Sequence, residues 1–127
     1  MSHFLVVFLG AGLGGALRHA VNLGCARACG VAFPWGTLAV NLVGSLIMGA
    51  VVACFATRIG SAWDQNVRLF LTTGILGGFT TFSAFSLDAV ALWERGDPVL
   101  AAAYVAGSVL LAIAGAVAGL AVVRALA

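Results

Sequence analysis

The chain has 127 residues, 63% of them hydrophobic and only 8% charged, with a mean hydropathy of +1.16. So little charge cannot cover a soluble surface, which makes residues 1–127 a single integral membrane domain with no room for a second, soluble one. The net charge of +2 comes from six arginines and no lysine, too few and too scattered for nucleic-acid binding, and no Ser/His/Asp set, carboxylate pair or ligand cluster suggests an enzyme.

Four charge-poor segments can be read as spans, each needing about 20 mostly apolar residues. The first covers residues 4–25. It is apolar almost from its start and lacks a Lys/Arg-rich leader, which argues against a removable signal peptide. Its run Gly10-Ala-Gly-Leu-Gly14-Gly15 predicts tight packing on a neighbouring helix. Arg18 and Asn22 lie inside its far end. An arginine at that depth is either a functional group or a side chain snorkelling to the interface. Cys25, Cys29 and Cys54 have no metal or redox spacing and read as small packing residues. His3 and His19 read as end-of-span residues rather than ligands.

The second span covers residues 34–57. Pro34 opens it, where a missing N–H costs nothing, and Trp35 suits the interface. Thr37, Asn41 and Ser45 recur every fourth residue and share one face. A polar stripe on an apolar helix fits a pore wall, and it also fits hydrogen bonding between helices. A loop over 58–65 follows, with Asp64 suited to capping the next helix.

The third span, residues 66–94, is too long for one straight crossing. At its centre lies Gly74-Ile-Leu-Gly77-Gly78-Phe79-Thr80-Thr81-Phe82-Ser83-Ala84-Phe85-Ser86. Adjacent glycines and paired threonines make a poor helix core, which predicts a break over 77–81. Non-helical backbone at that depth must be buried in protein or line a wet cavity, and its freed carbonyls suit an ion. The competing reading is close helix packing through Gly74-x-x-x-Gly78. Phe79, Phe82 and Phe85 share a broad face, with hydroxyls among the rings. Glu94 to Pro98 is a turn, and Asp97 caps a fourth span over 98–123. That span carries Gly115-x-x-x-Gly119, and its polar side chains Tyr104 and Ser108 lie one turn apart.

With alternating spans, Arg58, Arg68 and Arg124 fall on the N-terminal side of the bilayer and Arg18, Arg27 and Arg95 on the other. Three against three gives no preferred orientation, which predicts dual topology and pairing of two opposed copies about an axis in the membrane plane.

Gly77-Gly78-Phe79-Thr80-Thr81-Phe82-Ser83-Ala84-Phe85-Ser86, Gly36-Thr37-Leu38-Ala39-Val40-Asn41-Leu42-Val43-Gly44-Ser45 and Arg18 together resemble the small four-helix fluoride channels called Fluc or CrcB, over nearly the whole chain. The resemblance implies an all-α membrane protein with a broken third helix, forming an antiparallel homodimer. It would export fluoride passively through two pores in a prokaryotic cell membrane. The carbonyls of Gly77 and Thr80 from both copies would hold a structural Na⁺. Phe82 and Phe85 would offer electropositive ring edges to the anion. Asn41 would donate N–H groups, Ser83, Tyr104 and Ser108 would add hydroxyls, and Arg18 would concentrate anions in a vestibule. The chain departs from the family at Ala84, where Thr is common, and at Asp88, where Glu is common.

Two other readings compete. A small multidrug antiporter also has four helices, but it needs an acid deep in the bundle; the first span has none, and Asp88 lies beyond the polar centre. A scaffold subunit would use the small-residue motifs and leave Asn41 and the Phe/Thr/Ser cluster without a task.

Overall fold

The computed structural model describes residues 2–57 and 63–127. Arg58 and most of the expected loop after the second span lie outside the described residues. Among those described there is no strand, and four helical stretches are long and apolar enough to cross a membrane. α1 (His3–Cys29) starts at Ser2, whose Oγ accepts the Leu5 N–H at 3.3 Å, and ends at Gly30, where φ is +78°. Few side chains accept a positive φ, so glycine suits this stop. α1 thus runs past residue 25 and carries Arg27 in its last turn. α2 is Trp35–Ala56, with Pro34 just outside it.

The third span is four pieces in series. α3 (Gln65–Leu69) leads into a seven-residue π-helical stretch, Phe70–Leu76, and then into α4 (Gly77–Phe79). Thr80 and Thr81 are extended, with φ/ψ of −83°/158° and −154°/121°. α5 (Phe82–Glu94) follows, and after a turn at Gly96 the chain enters α6 (Pro98–Leu126). The break is therefore narrower than residues 77–81. Gly77 keeps helical dihedrals of −64°/−38°, and helical geometry is lost only at the two threonines.

The reason is that the glycines of the span serve packing. A Cβ on Gly78 would meet the Ala11 backbone of α1. One on Gly74 would lie 2.9 Å from Gly10 Cα. From the other side, Gly14 leaves no space for a Cβ against the Ile75 carbonyl. α2 and α6 meet in the same way, Gly49 against the Ala116 carbonyl and Gly119 against the Leu46 carbonyl. Larger side chains close the remaining core: Phe85, Leu92, Ala101 and Tyr104 are buried, with Phe33 and Leu38 packed on them. Big apolar side chains outside these seams, such as Phe4, Phe8 and Leu110, are exposed, as a bilayer solvent allows.

Candidate ion pathway

The site is built on the two extended threonines. Thr80 still donates backward, its N–H to the Leu76 carbonyl at 3.0 Å and its hydroxyl to the same oxygen at 2.9 Å. Thr81 turns away. Its N–H goes to Asn41 Oδ1 at 2.8 Å, and its carbonyl accepts from Asn41 Nδ2 at 3.0 Å. Its hydroxyl caps α5 by accepting the Ala84 N–H at 3.2 Å, and lies 3.3 Å from Ser83 Oγ. In a continuous helix the Thr81 and Ala84 N–H groups would serve the carbonyls of Gly77 and Thr80. Both carbonyls thereby lose their helical partners. The Thr80 carbonyl has a cation beside it, Arg18 Nη1 at 3.5 Å.

One cavity lies at the break and a second lies beyond it, beside α5. The inner one, about 220 Å³, is lined by Asn41, Ser45, Thr81, Phe82, Phe85 and Ser108. The outer one, about 460 Å³, is lined by residues including Asn22, Thr37, Asp88 and Arg95. The stripe on α2 therefore passes from one to the other: Thr37 outside, Asn41 and Ser45 inside. Asn41 bonds another span, as the hydrogen-bonding reading of that stripe expects, and also lines the inner cavity.

A run of aromatic rings, Phe82, Phe85, Tyr104 and Phe33, links the inner cavity to the outer one, which Phe33 lines. Phe82 and Phe85 have centroids 5.3 Å apart, and Phe85 and Tyr104 5.4 Å apart. Phe85 is 8% exposed and Phe82 77%, so one ring is anchored and the other stands on an open face. The Tyr104 hydroxyl donates to Asp88 Oδ2 at 3.2 Å, so its proton is committed to the acid. Ser108 is 5% exposed, and its Oγ makes no full hydrogen bond among the described residues, only a weak contact with the Tyr104 hydroxyl. A buried hydroxyl without a full hydrogen bond is costly, so one that lines a cavity is available to whatever enters it. The N-terminus of α5 also lies at this depth, and its unpaired N–H groups favour negative charge.

Arg18, expected to concentrate anions, stands beside the break instead of on either cavity. Half-buried on α1, one turn past Gly14, it is turned toward the Thr80 carbonyl. The cation on the outer cavity is Arg95, whose Nη2 also donates to the Ala32 carbonyl at 3.1 Å. Arg95 was missed in the sequence because it reads as one of several charges in a turn; its place at the end of the helix that carries the rings was the available signal. Gly77 and Ser83 are exposed and line neither cavity.

Known proteins resemble this chain over nearly its whole length. The family described as "CrcB-like protein, Camphor Resistance (CrcB)" matches residues 5–120. "Fluoride-specific ion channel FluC" from Rhodopseudomonas palustris is 58% identical over 123 residues, covering 97% of this chain and 98% of that protein. The protein of the same name from Methylobacterium nodulans is 60% identical, covering 98% of each chain. A third, from Rhizobium etli, is 50% identical over the full length of both. The chain belongs to the CrcB family; it is a multi-pass cell-membrane protein of a transport family, not an enzyme.

Proposed function

We propose that this member of the CrcB family is a fluoride-selective passive channel that exports fluoride across the cell membrane. The observation that carries the reading is the inner cavity, where the rings of Phe82 and Phe85, the start of α5 and the buried Ser108 hydroxyl converge. Fluoride is small and strongly hydrated, so a selective path must replace water with donors in a narrow space. Ser108 offers its O–H, and Asn41 keeps one Nδ2 hydrogen beyond the one given to Thr81. Ring edges add weak electropositive contact, and the α5 dipole adds more. Chloride, being larger, gains less from donors spaced for fluoride. The relatives' names support fluoride as the ion.

The working unit in this proposal is two copies in opposed orientation, with two pores. Support comes from Phe82 and Gly77, both exposed on a face where a second copy would complete the path, and from the even split of arginines. The resemblance also assigns a structural sodium ion to the carbonyls of Gly77 and Thr80. The residues fit it: these are neutral, hard oxygens released from helical bonding at the break. Such an ion would supply positive charge that ties the two broken spans together. Arg18 beside the Thr80 carbonyl contributes charge of the same sign.

Reconstitution in liposomes tests the reading. Fluoride and chloride electrodes should record rapid fluoride loss and little chloride loss, with no pH gradient needed. Phe82→Ile should cut the fluoride flux about tenfold or more, since each 1.4 kcal/mol lost at a barrier is tenfold. Fluoride-tight vesicles, or an Ile variant that conducts normally, would overturn the reading.

A further inference from the structure

We infer that Asn41 is a positioning residue that creates the break in the third span, by pairing its carboxamide with both backbone groups of Thr81. The break does not follow from the glycines, because Gly77 is helical and Gly78 lies within α4. It opens at Thr80 and continues through Thr81, where a side chain from α2, forty positions away in sequence, reaches the backbone. An amide holds one acceptor and two donors in one plane. Here Oδ1 takes the Thr81 N–H at 2.8 Å, and Nδ2 gives a proton to the Thr81 carbonyl at 3.0 Å. Thr81 offers one donor and one acceptor, so only this orientation of the amide satisfies both.

Two bonds to one residue require that its N–H and C=O point the same way, as in a paired strand. Thr81 meets this with φ −154° and ψ 121°. A helical Thr81 would send its N–H back to Gly77 and its carbonyl forward to Phe85. Asn41 therefore replaces the helical partner of the Thr81 N–H, and its Nδ2 takes the second lone pair of a carbonyl that, at the cap of α5, also accepts the first helical bond from Phe85.

Three features of the pathway depend on that exchange. α5 restarts at Phe82 with Thr81 as its cap, which sets where Phe82 and Phe85 project. The Gly77 carbonyl is released. The remaining Nδ2 hydrogen, held in the amide plane, is directed away from Thr81. The chemistry at this position is narrow: Asp would accept the Thr81 N–H but repel its carbonyl, and Ser could make one of the two bonds.

The transport consequence rests on the channel reading; the clamp itself does not, so it is tested without fluoride. Amide hydrogen exchange is followed by NMR on the full chain at Thr80 and Thr81. The Thr80 N–H bonds Leu76 and is independent of Asn41, which makes it an internal control. In the unsubstituted protein both amides should be protected. In Asn41→Ala the Thr81 amide should exchange about ten- to hundredfold faster while Thr80 holds, the size expected for losing two hydrogen bonds to one site. Asn41→Asp should give a smaller acceleration at Thr81 alone. Equal acceleration of Thr80 and Thr81 would mean general loosening and overturn the inference, as would an unchanged Thr81. If no variant folds, the unsubstituted protein decides: a Thr81 amide exchanging at the rate of an open one overturns the clamp, and a protected one supports it. Fluoride-tight vesicles with the expected Thr81 pattern would refute the channel and still support the clamp.

Discussion

Two glycine-notched seams hold this molecule, and they press on different backbones. Along α2 and α6, Gly49 meets the Ala116 carbonyl and Gly119 meets the Leu46 carbonyl, and both helices run unbroken. Along α1 and the third span, Gly10 and Gly14 meet Phe70, Gly74 and Ile75, and the facing backbone is π-helical, then α-helical, then extended. Glycine is common to both seams, so glycine is not what breaks the span. It lets backbones touch where a bilayer gives no hydrophobic drive for helices to associate. The difference lies in which side chains offer the backbone another partner. Among the described residues no side chain bonds the backbone midway along α2 or α6, whereas the third span has the Thr81 hydroxyl within it and Asn41 across from it.

The comparison can be broken at its glycines, where the effect should be largest. Gly49→Ala and Gly14→Ala each force a methyl onto a carbonyl oxygen that belongs to rigid helix backbone. Each should lower stability by about 1–3 kcal/mol, read from unfolding midpoints in detergent. The two should then part company. Gly14→Ala displaces the Ile75 carbonyl and the Phe79 N–H, just before the break, so flux per folded protein should fall as well. Gly49→Ala should act mainly through the folded fraction. Equal flux per folded molecule in both variants would mean that α1 does not help set the break.

The sequence made the spans legible because a bilayer leaves few options for an apolar chain of this composition. It also made the break legible, though too broadly. Gly77 and Gly78 looked like helix breakers by propensity, but propensity is a weak prior once packing competes, and Gly78 is needed against Ala11. The π-helical stretch at Phe70–Leu76 had no local signature, since it follows from fitting α3 and α4 onto α1. The contact of Arg18 with the Thr80 carbonyl was not legible for a related reason: depth in a span can be counted from sequence, but direction around the helix depends on neighbours. Asn41 was singled out correctly as a polar group needing a partner. That the partner is both backbone groups of Thr81 could not be read from spacing on α2 alone.

Ser108 sharpens the comparison at the next scale down. It sits on the unbroken α6 and faces the cavity beside the broken span, so it joins the two regions. Among the described residues its Oγ makes no full hydrogen bond, only a weak contact with the Tyr104 hydroxyl, so Ser108→Ala removes a hydroxyl on which the fold hardly depends. Stability should hold or rise by up to about 1 kcal/mol, because a buried unsatisfied group is lost. Fluoride flux should nevertheless fall about three- to tenfold, about 0.7–1.4 kcal/mol at the barrier. Unfolding and efflux measured on the same preparation separate the two effects. A variant of equal stability and undiminished flux would take Ser108 out of the path.

The smallest expected effect concerns the arginines on either side of the break. Arg95 is exposed on the outer cavity, with Asp88 lining the same space, so its field on an approaching anion is partly cancelled. Arg18 is half-buried and engaged with the Thr80 carbonyl. Exposed charges act through a screened field whose reach is about 30 Å at 0.01 M salt and about 8 Å at 0.15 M. Arg95→Gln should therefore lower flux a few-fold in dilute buffer and hardly at all at 0.15 M, as steering does. Arg18→Gln removes a contact inside the protein, which salt reaches poorly, so its loss of flux should be the same at both ionic strengths. The opposite pattern, salt-dependent loss in Arg18→Gln and none in Arg95→Gln, would return the vestibule role to Arg18 and would mean that its bond to the break opens when the channel conducts.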